Sequence, residues 1–123
     1  MKKIYYLKTC NTSIRIIKQL KEKTIDTSFE DFIFQDIKAN SITVSQLDEM
    51  YRLTNSYEVL FSKRAKKYTQ MGLKHQSLSE KDYKRLLLDE YTFLKRPIVI
   101  LNDKIFVGSS KKNVSLLLSS IQK

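Results

Sequence analysis

The scarcity of glycine and proline constrains the fold of this chain most: 123 residues contain two glycines and one proline. All-β sandwiches and barrels need frequent tight turns, and these two residue types supply many of the backbone angles that such turns require. An all-β fold and long loops are therefore disfavoured. Because 41% of the residues are hydrophobic, we expect one globular domain over 1–123 with a proper core.

The first third of the chain has the pattern strand, helix, strand. Lys3–Leu7 is a β-type run, and apolar residues at helical spacing predict a helix over Thr12–Lys23, capped by Thr9 or Asn11. Thr27–Phe34 predicts a second strand, parallel to the first through a right-handed crossover. The side chains expected in the core are Ile14, Ile16, Ile17, Leu20, Phe29, Phe32 and Phe34.

The middle of the chain is predicted to be a helical insertion at about 41–92. Capping-box patterns begin at Thr43, ahead of a helix that presents Val44, Leu47, Met50 and Tyr51 on one face, and at Ser79. A basic segment, Lys63–Met71, is expected to be helical and to end near Gly72.

The last third predicts a β-hairpin followed by a helix. Strands at Pro97–Leu101 and Lys104–Val107 flank Asn102-Asp103, two residues that tolerate the positive φ of a two-residue turn. Ser109 or Ser110 starts a final helix that reaches Ile121. The order βαβ, inserted helices, ββα predicts an α/β fold with a thioredoxin-like mixed four-stranded sheet and helices on both faces.

The formal net charge of +10 is compatible with nucleic-acid binding, but the lysines are spread along the chain and a solvated basic surface is favoured. The densest basic cluster is Lys63–Lys67, beside Tyr68. Met1-Lys2-Lys3 leads into only four apolar residues, and no apolar run approaches the ~18 residues that span a bilayer. With a single cysteine and no disulfide framework, we expect a cytoplasmic protein without a membrane partner.

Cys10 is that single cysteine, and it lies between the first strand and the first helix. Free backbone N–H groups and the positive end of the helix dipole stabilise a thiolate at such a position. Lys8 and Arg15 add positive charge nearby. Thr12 and Ser13 are candidates to donate hydrogen bonds to the thiolate, and helix capping is an equally good role for them. An inert buried cysteine is the alternative, which the polar surroundings disfavour.

The sequence gives little support for a metal site or a nucleotide-binding site. His75, the only histidine, lies in a polar segment, and one cysteine with one histidine cannot form a closed zinc site. The sequence contains no glycine-rich phosphate loop and no dinucleotide-binding fingerprint. We expect no bound metal and no bound cofactor.

Four segments, taken together in their order and spacing, resemble a known family. They are Tyr5–Thr12, Leu60–Arg64, Leu94–Ile100 and Val107-Gly108. In them the chain resembles the arsenate-reductase-related (ArsC/Spx-like) family of thioredoxin-fold proteins. That family includes glutaredoxin-coupled arsenate reductases, Spx-type transcription regulators and small single-cysteine proteins, and the likeness is greatest to the last group.

The resemblance implies roles for individual residues. Cys10 would be the redox nucleophile, Arg96 would lie beside it and contact a bound anion or thiolate, and Pro97 would be a cis-proline in the wall of the site. Further candidates for the anion- or thiolate-binding part of the site are Asn11, Thr12, Ser13, Lys63 and Arg64.

The chain also departs from the family pattern. Arsenate reductases of this family place three arginines around the oxyanion, and only Arg96 matches; the other positions fall near Ser62 and at Gly108. Spx-type regulators commonly carry a Cys-x-x-Cys pair, whose second position is Ser13 here. An internal disulfide switch is therefore impossible.

The function expected from this resemblance is a thiol- or glutathione-dependent oxidoreductase that works through a mixed disulfide or another covalent adduct of Cys10. Glutathione, another thiol or a glutaredoxin-type protein would act as reductant. The alternative is a non-catalytic, Spx-like regulator that binds RNA polymerase or another protein. Direct nucleic-acid binding ranks third.

Overall fold

A computed structural model describes residues 2–24 and 27–121. The strands and helices are β1 (Lys2–Tyr6), α1 (Asn11–Lys23), β2 (Ile33–Asp36), α2 (Val44–Thr54), α3 (Lys66–Gln70), α4 (Glu80–Asp89), β3 (Ile98–Leu101), β4 (Lys104–Val107) and α5 (Lys111–Ile121). Short 3₁₀ turns lie at Thr27–Asp31, Glu58–Leu60, Leu73–His75 and Tyr91–Phe93. The predicted fold class, a thioredoxin-like mixed four-stranded sheet with helices, is confirmed.

The chain divides into two compact units. The first contains Met1–Asn40 and Arg96–Lys123, and with them the whole sheet; the second is Ser41–Lys95 and contains α2, α3 and α4. The second unit covers the segment predicted as a helical insertion. That the chain forms one domain stays a prediction.

In the first unit the strand order is β2-β1-β3-β4. β1 pairs in parallel with β2 and antiparallel with β3, and β3 pairs antiparallel with β4. The registers place Phe34, Ile4, Val99 and Phe106 in one row across the sheet. All four residues of β3 are buried, as expected for a central strand without polar side chains. The predicted parallel pairing of β1 with β2 is confirmed, and the right hand of the crossover stays a prediction.

The core of the first unit lies where α1 and α5 cover one face of this sheet. Its buried members are Ile4, Ile16, Leu20, Phe32, Val99, Leu101, Phe106 and Leu117. Burying one such side chain contributes about 1.5–3 kcal/mol. This layer therefore fixes both helices against the strands.

The prediction for α1 needs two corrections. Cys10, not Thr9 or Asn11, is the N-cap residue. The buried positions are Ser13, Ile16 and Leu20, whereas Ile14 is 44% exposed. Several isoleucines in α1 allow more than one apolar stripe, and packing against the sheet selects the one that contains the small residue Ser13.

The prediction of a strand over Thr27–Phe34 is wrong for most of its length. Thr27–Asp31 is a 3₁₀ turn, and the strand is Ile33–Asp36. The turn gathers the ring of Phe29 5.5 Å from Phe34 and 6.1 Å from Phe32, measured between ring centroids. Of the three, Phe32 is buried, Phe29 packs partly buried against the core, and Phe34 is exposed because β2 is an edge strand.

Local signals in the second unit are largely confirmed. Both predicted capping boxes form: Thr43 Oγ1 accepts from Gln46 N at 3.0 Å, and Ser79 Oγ accepts from Asp82 N at 3.3 Å. The helix in the basic segment is shorter than predicted, only Lys66–Gln70. On α2 the buried residues are Leu47 and Met50, Tyr51 is half-buried, and Val44 is exposed, contrary to its predicted place on the apolar face.

The aromatic ring of Phe61 organises the core of the second unit. It stacks on Phe93 at 4.7 Å and meets Tyr83 edge-on at 5.0 Å, both between ring centroids. An isolated antiparallel bridge pairs Phe61 with Leu94, and Ser62 N donates to Phe93 O at 2.7 Å. The middle of this unit and its C-terminal end are therefore joined through backbone as well as side chains.

The C-terminal hairpin and helix are confirmed. Asn102 has φ 59° in the turn between β3 and β4, and Gly108 has φ 88° where the hairpin ends. The last helix begins at Lys111, and Ser110 Oγ accepts from Asn113 N at 3.1 Å. Ser110 therefore acts as the N-cap, one of the two serines proposed for that role.

Two adjacent leucines of α5 test this packing. Leu117 is 1% exposed and Leu116 is 54% exposed. We expect Leu117→Ala to lower the free energy of unfolding by about 2–5 kcal/mol, because it leaves a cavity between helix and sheet. The matched control, Leu116→Ala, should change it by no more than about 0.5 kcal/mol. Urea unfolding followed by circular dichroism measures both, and equal effects would contradict the assigned face of α5.

Candidate active site

The pairing of β1 with β3 brings the two ends of the candidate site together. The strands run in opposite directions, with Tyr5 opposite Ile98. The loop that follows β1 therefore lies beside the residues that precede β3. Cys10 is in that loop, and Arg96 and Pro97 precede β3 directly. Residues more than eighty positions apart in the chain thus meet at the same end of the two central strands.

Cys10 lies at the junction of a tight turn and a helix. Its backbone N–H donates to Leu7 O at 2.9 Å, and its carbonyl accepts from Ile14 N at 3.1 Å, the first hydrogen bond of α1. The residue has the extended backbone angles of an N-cap, and its side chain is half-buried. The thiol therefore faces the free N–H groups at the start of α1, where negative charge is favoured.

Ser13 is the buried polar residue of this site. Its side chain is fully buried. Within the described part of the chain its Oγ makes no hydrogen bond of standard geometry, although a buried hydroxyl without a partner is costly. The hydroxyl proton is therefore available to the sulfur of Cys10. A neutral thiol is a weak hydrogen-bond acceptor, and a thiolate is a stronger one. Ionisation of Cys10 therefore strengthens its interaction with the Ser13 hydroxyl.

Two opposing effects set the pKa of Cys10. Partial burial raises the pKa, because it penalises the charged thiolate. The nearby hydroxyl and backbone N–H of Ser13, followed by the N–H groups and the positive charge of Arg96, favour the thiolate and lower the pKa. The second group of effects wins, and the pKa of Cys10 lies below the ordinary value of a cysteine thiol. The site therefore favours the nucleophilic form.

Pro97, which follows Arg96, is connected through Gly108 to the start of α5. The peptide bond between Arg96 and Pro97 is cis, as the family resemblance implied, and Pro97 is buried. Pro97 O accepts from Gly108 N at 2.9 Å, and Gly108 O accepts from Asn113 Nδ2 at 2.8 Å. Asn113 is thus a supporting residue that the sequence did not single out. Its only signal was its position three residues after the cap Ser110.

The structure separates the other predicted site residues into two groups. Asn11 and Thr12 occupy the first turn of α1 next to Cys10, Asn11 exposed and Thr12 half-buried. Lys63 and Arg64 belong to the second unit, where Lys63 Nζ lies 3.1 Å from Glu58 Oε2 and Arg64 is exposed. Their roles in binding an anion or thiolate stay predictions.

Lys8 and Arg15, which the sequence offered as sources of positive charge, are exposed. The interactions that lower the pKa of Cys10 come instead from Ser13 and Arg96.

His75 is exposed at the end of a 3₁₀ turn. Residues 2–24 and 27–121 contain no cluster of three or more histidine, cysteine or acidic side chains arranged to hold a metal ion. Within the same ranges, no helix has the length and apolar character needed to cross a bilayer.

Comparison with known proteins gives a consistent result. The profile of the ArsC family matches residues 5–116. The uncharacterised protein YfgD of Escherichia coli K12 is 27% identical over 112 residues, which cover 91% of this chain and 92% of that protein. The global transcriptional regulator Spx 2 of Bacillus cereus is 24% identical over 90% of this chain and 82% of its own.

A solved structure with the same fold is the arsenate reductase of Vibrio cholerae. It superposes with a TM-score of 0.74 over 94% of each chain, at 17% sequence identity. The matched 94% of this chain includes residues of both compact units.

The role assigned to Ser13 predicts a shift in thiol titration. We expect Ser13→Ala to raise the pKa of Cys10, because the thiolate loses the hydroxyl that stabilises it. The measurement is the rate of alkylation by iodoacetamide as a function of pH, with Cys10→Ser as blank. Ser115→Ala, on the exposed part of α5, is the control and should leave the profile unchanged. A profile for Ser13→Ala identical to that of the unmodified protein would contradict the assignment.

Proposed function

Because this chain belongs to the ArsC family, we propose that it is a thiol-dependent reductase in which Cys10 attacks a disulfide or another oxidised substrate. The observation that carries the proposal is the position of Cys10 as the N-cap of α1, three residues before the buried Ser13 and at the ends of the paired strands β1 and β3, where Arg96 lies just before β3. A structural cysteine gains nothing from a stabilised thiolate, whereas a nucleophile depends on it.

The reaction proceeds in two exchange steps. In the first, the Cys10 thiolate attacks one sulfur of a mixed disulfide, a new S–S bond forms to Cys10, and the old S–S bond breaks. The leaving thiolate departs with the electron pair and takes a proton from water. In the second, the thiolate of an external thiol attacks the Cys10 disulfide and releases Cys10 as thiolate. The substrate is reduced, and the external thiol leaves as a disulfide.

An external thiol is required because the chain has one cysteine, and Ser13 occupies the position where a second cysteine would resolve the adduct. Glutathione is the proposed co-substrate, with a glutaredoxin-type protein as the other candidate reductant. The guanidinium of Arg96 suits either the carboxylates of glutathione or an oxyanion, since it offers paired N–H donors. Arsenate is the less favoured substrate, because Arg96 is the one arginine that matches the family pattern.

Two substitutions test the proposal. In an assay of bis(2-hydroxyethyl) disulfide reduction by glutathione, Cys10→Ser should abolish turnover. Arg96→Gln should lower it by about tenfold, the effect of losing one charge-assisted hydrogen bond. Arg52→Gln, an exposed arginine of α2, is the matched control and should retain full activity. Turnover by Cys10→Ser equal to that of the unmodified protein would refute the proposal.

A second candidate function is supported by the 24% identity to a transcriptional regulator. In this alternative the chain is a non-catalytic regulator that binds RNA polymerase or another protein. The exposed basic residues of the second unit, among them Arg64, Lys66 and Lys74, would supply charge for an acidic protein surface. Cys10 is then dispensable for binding.

Binding to purified RNA polymerase separates the alternatives. The regulator hypothesis predicts a saturable complex in biolayer interferometry that weakens as salt rises, and one that Cys10→Ser leaves unchanged. The charge-reversal variant Lys66→Glu should weaken the complex with RNA polymerase. Absence of a complex at low salt would remove this alternative, and the reductase proposal would be unaffected.

A further inference from the structure

The side chain of Asn113 makes a contact that helix capping does not require. Asn113 is the third residue of α5, and its backbone N–H donates to Ser110 Oγ at 3.1 Å, the usual hydrogen bond of an N-cap. Its side-chain amide serves a different partner, because Nδ2 donates to the carbonyl of Gly108 at 2.8 Å. A carbonyl oxygen only accepts, so the amide nitrogen must be the atom that faces it. Asn113 thus joins α5 to the residue that follows β4.

The other capped helices use this position differently. Gln46 in α2 and Asp82 in α4 are also third helical residues after a capping hydroxyl, and their side chains accept from the N-cap N–H at 3.1 Å and 2.9 Å. Those bonds complete capping boxes. An acidic side chain at this position also suits the helix dipole, yet the first turn of α5 contains no acidic residue. The stability of α5 alone therefore does not account for an asparagine here.

Gly108 connects Asn113 with Pro97. Gly108 is buried and has φ 88°, a backbone conformation that glycine adopts without steric cost. Its N–H donates to Pro97 O at 2.9 Å and its carbonyl accepts from Asn113, so the peptide groups on both sides of its Cα are fixed. Proline has no N–H, so the carbonyl is the single backbone group through which Pro97 makes hydrogen bonds. The three residues form one continuous hydrogen-bonded series.

Arg96 directly precedes Pro97 and lies at the same end of the central strands as Cys10. The Nε atom of Arg96 is buried. A side chain enclosed in this way does not swing through solvent to offset a shift of its own backbone, because the close-packed interior holds it. The approach of the guanidinium to the sulfur of Cys10 therefore depends on where the backbone of Arg96 and Pro97 is held.

We propose that Asn113 is a positioning residue that holds the guanidinium of Arg96 beside the sulfur of Cys10. It acts through Gly108 and Pro97 and makes no bond with the substrate. This inference rests on the reductase function proposed above, and it names a residue outside the immediate site that sets the reactivity of the nucleophile. Loss of the Asn113 side chain slows the attack by Cys10 without abolishing it.

Replacement of Asn113 by alanine removes the donor without adding charge, and alanine is a favourable residue within a helix. The guanidinium favours the thiolate, so we expect Asn113→Ala to raise the pKa of Cys10. Alkylation by iodoacetamide at neutral pH should become about threefold slower, the effect of losing one neutral hydrogen bond. Turnover of bis(2-hydroxyethyl) disulfide with glutathione should fall by a similar factor. An alkylation profile identical to that of the unmodified protein would overturn the inference.

A double-mutant comparison shows whether Asn113 acts through Arg96. The guanidinium is absent in Arg96→Gln, so adding Asn113→Ala to that variant should change the alkylation profile and the turnover no further. A purely structural role of Asn113 would give the same loss with and without the guanidinium. Equal effects of Asn113→Ala in the two backgrounds would therefore overturn the inference.

Asn113→Asp separates positioning from helix stability. A carboxylate at this position can complete a capping box with Ser110, but it cannot donate to Gly108 O. Asn113→Asp should slow alkylation as Asn113→Ala does, whereas its midpoint of urea unfolding should not fall. A lowered midpoint with unchanged alkylation would show that Asn113 serves only the stability of α5, and would overturn the inference.

Ser109→Asp is the control for the added charge. Ser109 is exposed beside Gly108, and this variant keeps the amide of Asn113 in place. It should leave the alkylation profile unchanged. A shift as large as that of Asn113→Asp would show a general effect of negative charge and would overturn the inference.

The outcomes for the two proposals are distinguishable. Absence of turnover by the unmodified protein would refute the reductase function, whereas the alkylation profiles would still decide whether Asn113 positions Arg96. Turnover by the unmodified protein, together with coincident profiles for Asn113→Ala and the unmodified protein, would overturn the role of Asn113 and leave the reductase function standing.

Discussion

The antiparallel pairing of β1 with β3 is the contact on which the first unit depends. It aligns Ile4 with Val99 in a row that the helices α1 and α5 cover, so it defines the core. The same pairing sets the site, because the end of β1 and the beginning of β3 lie at one edge of the sheet. Cys10 and Arg96 owe their proximity to this register. A strand slipped by one residue would turn Ile4 away from the core.

The chemistry of the site follows from a competition between burial and hydrogen bonding. Half-burial of Cys10 by itself opposes the thiolate. The N-terminus of α1 reverses this tendency through the N–H and hydroxyl of Ser13, and Arg96 adds a positive charge from another part of the chain. The position that would hold a second cysteine in a dithiol site thus holds a hydroxyl that stabilises the first thiol. With one cysteine, the chain cannot form an internal disulfide.

The second unit shows which structural features short sequence patterns predict and which they do not. Its two capping boxes form as predicted because each needs only four consecutive residues. Its core does not follow from local patterns: Phe61 meets Phe93 and Tyr83, residues far along the chain, and Glu80 accepts hydrogen bonds from Tyr57 N at 2.7 Å and Glu58 N at 3.2 Å. The short length of α3, which has no buried residue among Lys66–Gln70, reflects the absence of such support.

The sequence by itself determined the order of the elements, the caps of α2, α4 and α5, the hairpin turn at Asn102 and the position of Cys10 between a strand and a helix, since neighbouring residues decide these features. Tertiary structure alone decided which of the possible apolar stripes of α1 is buried. It placed Ser13 rather than Ile14 against the sheet, and it shortened β2 because the phenylalanine rings gather in a turn at the sheet edge. It also decided the partners of Cys10, because Arg96 reaches the thiol through strand pairing between distant segments, which no local pattern encodes.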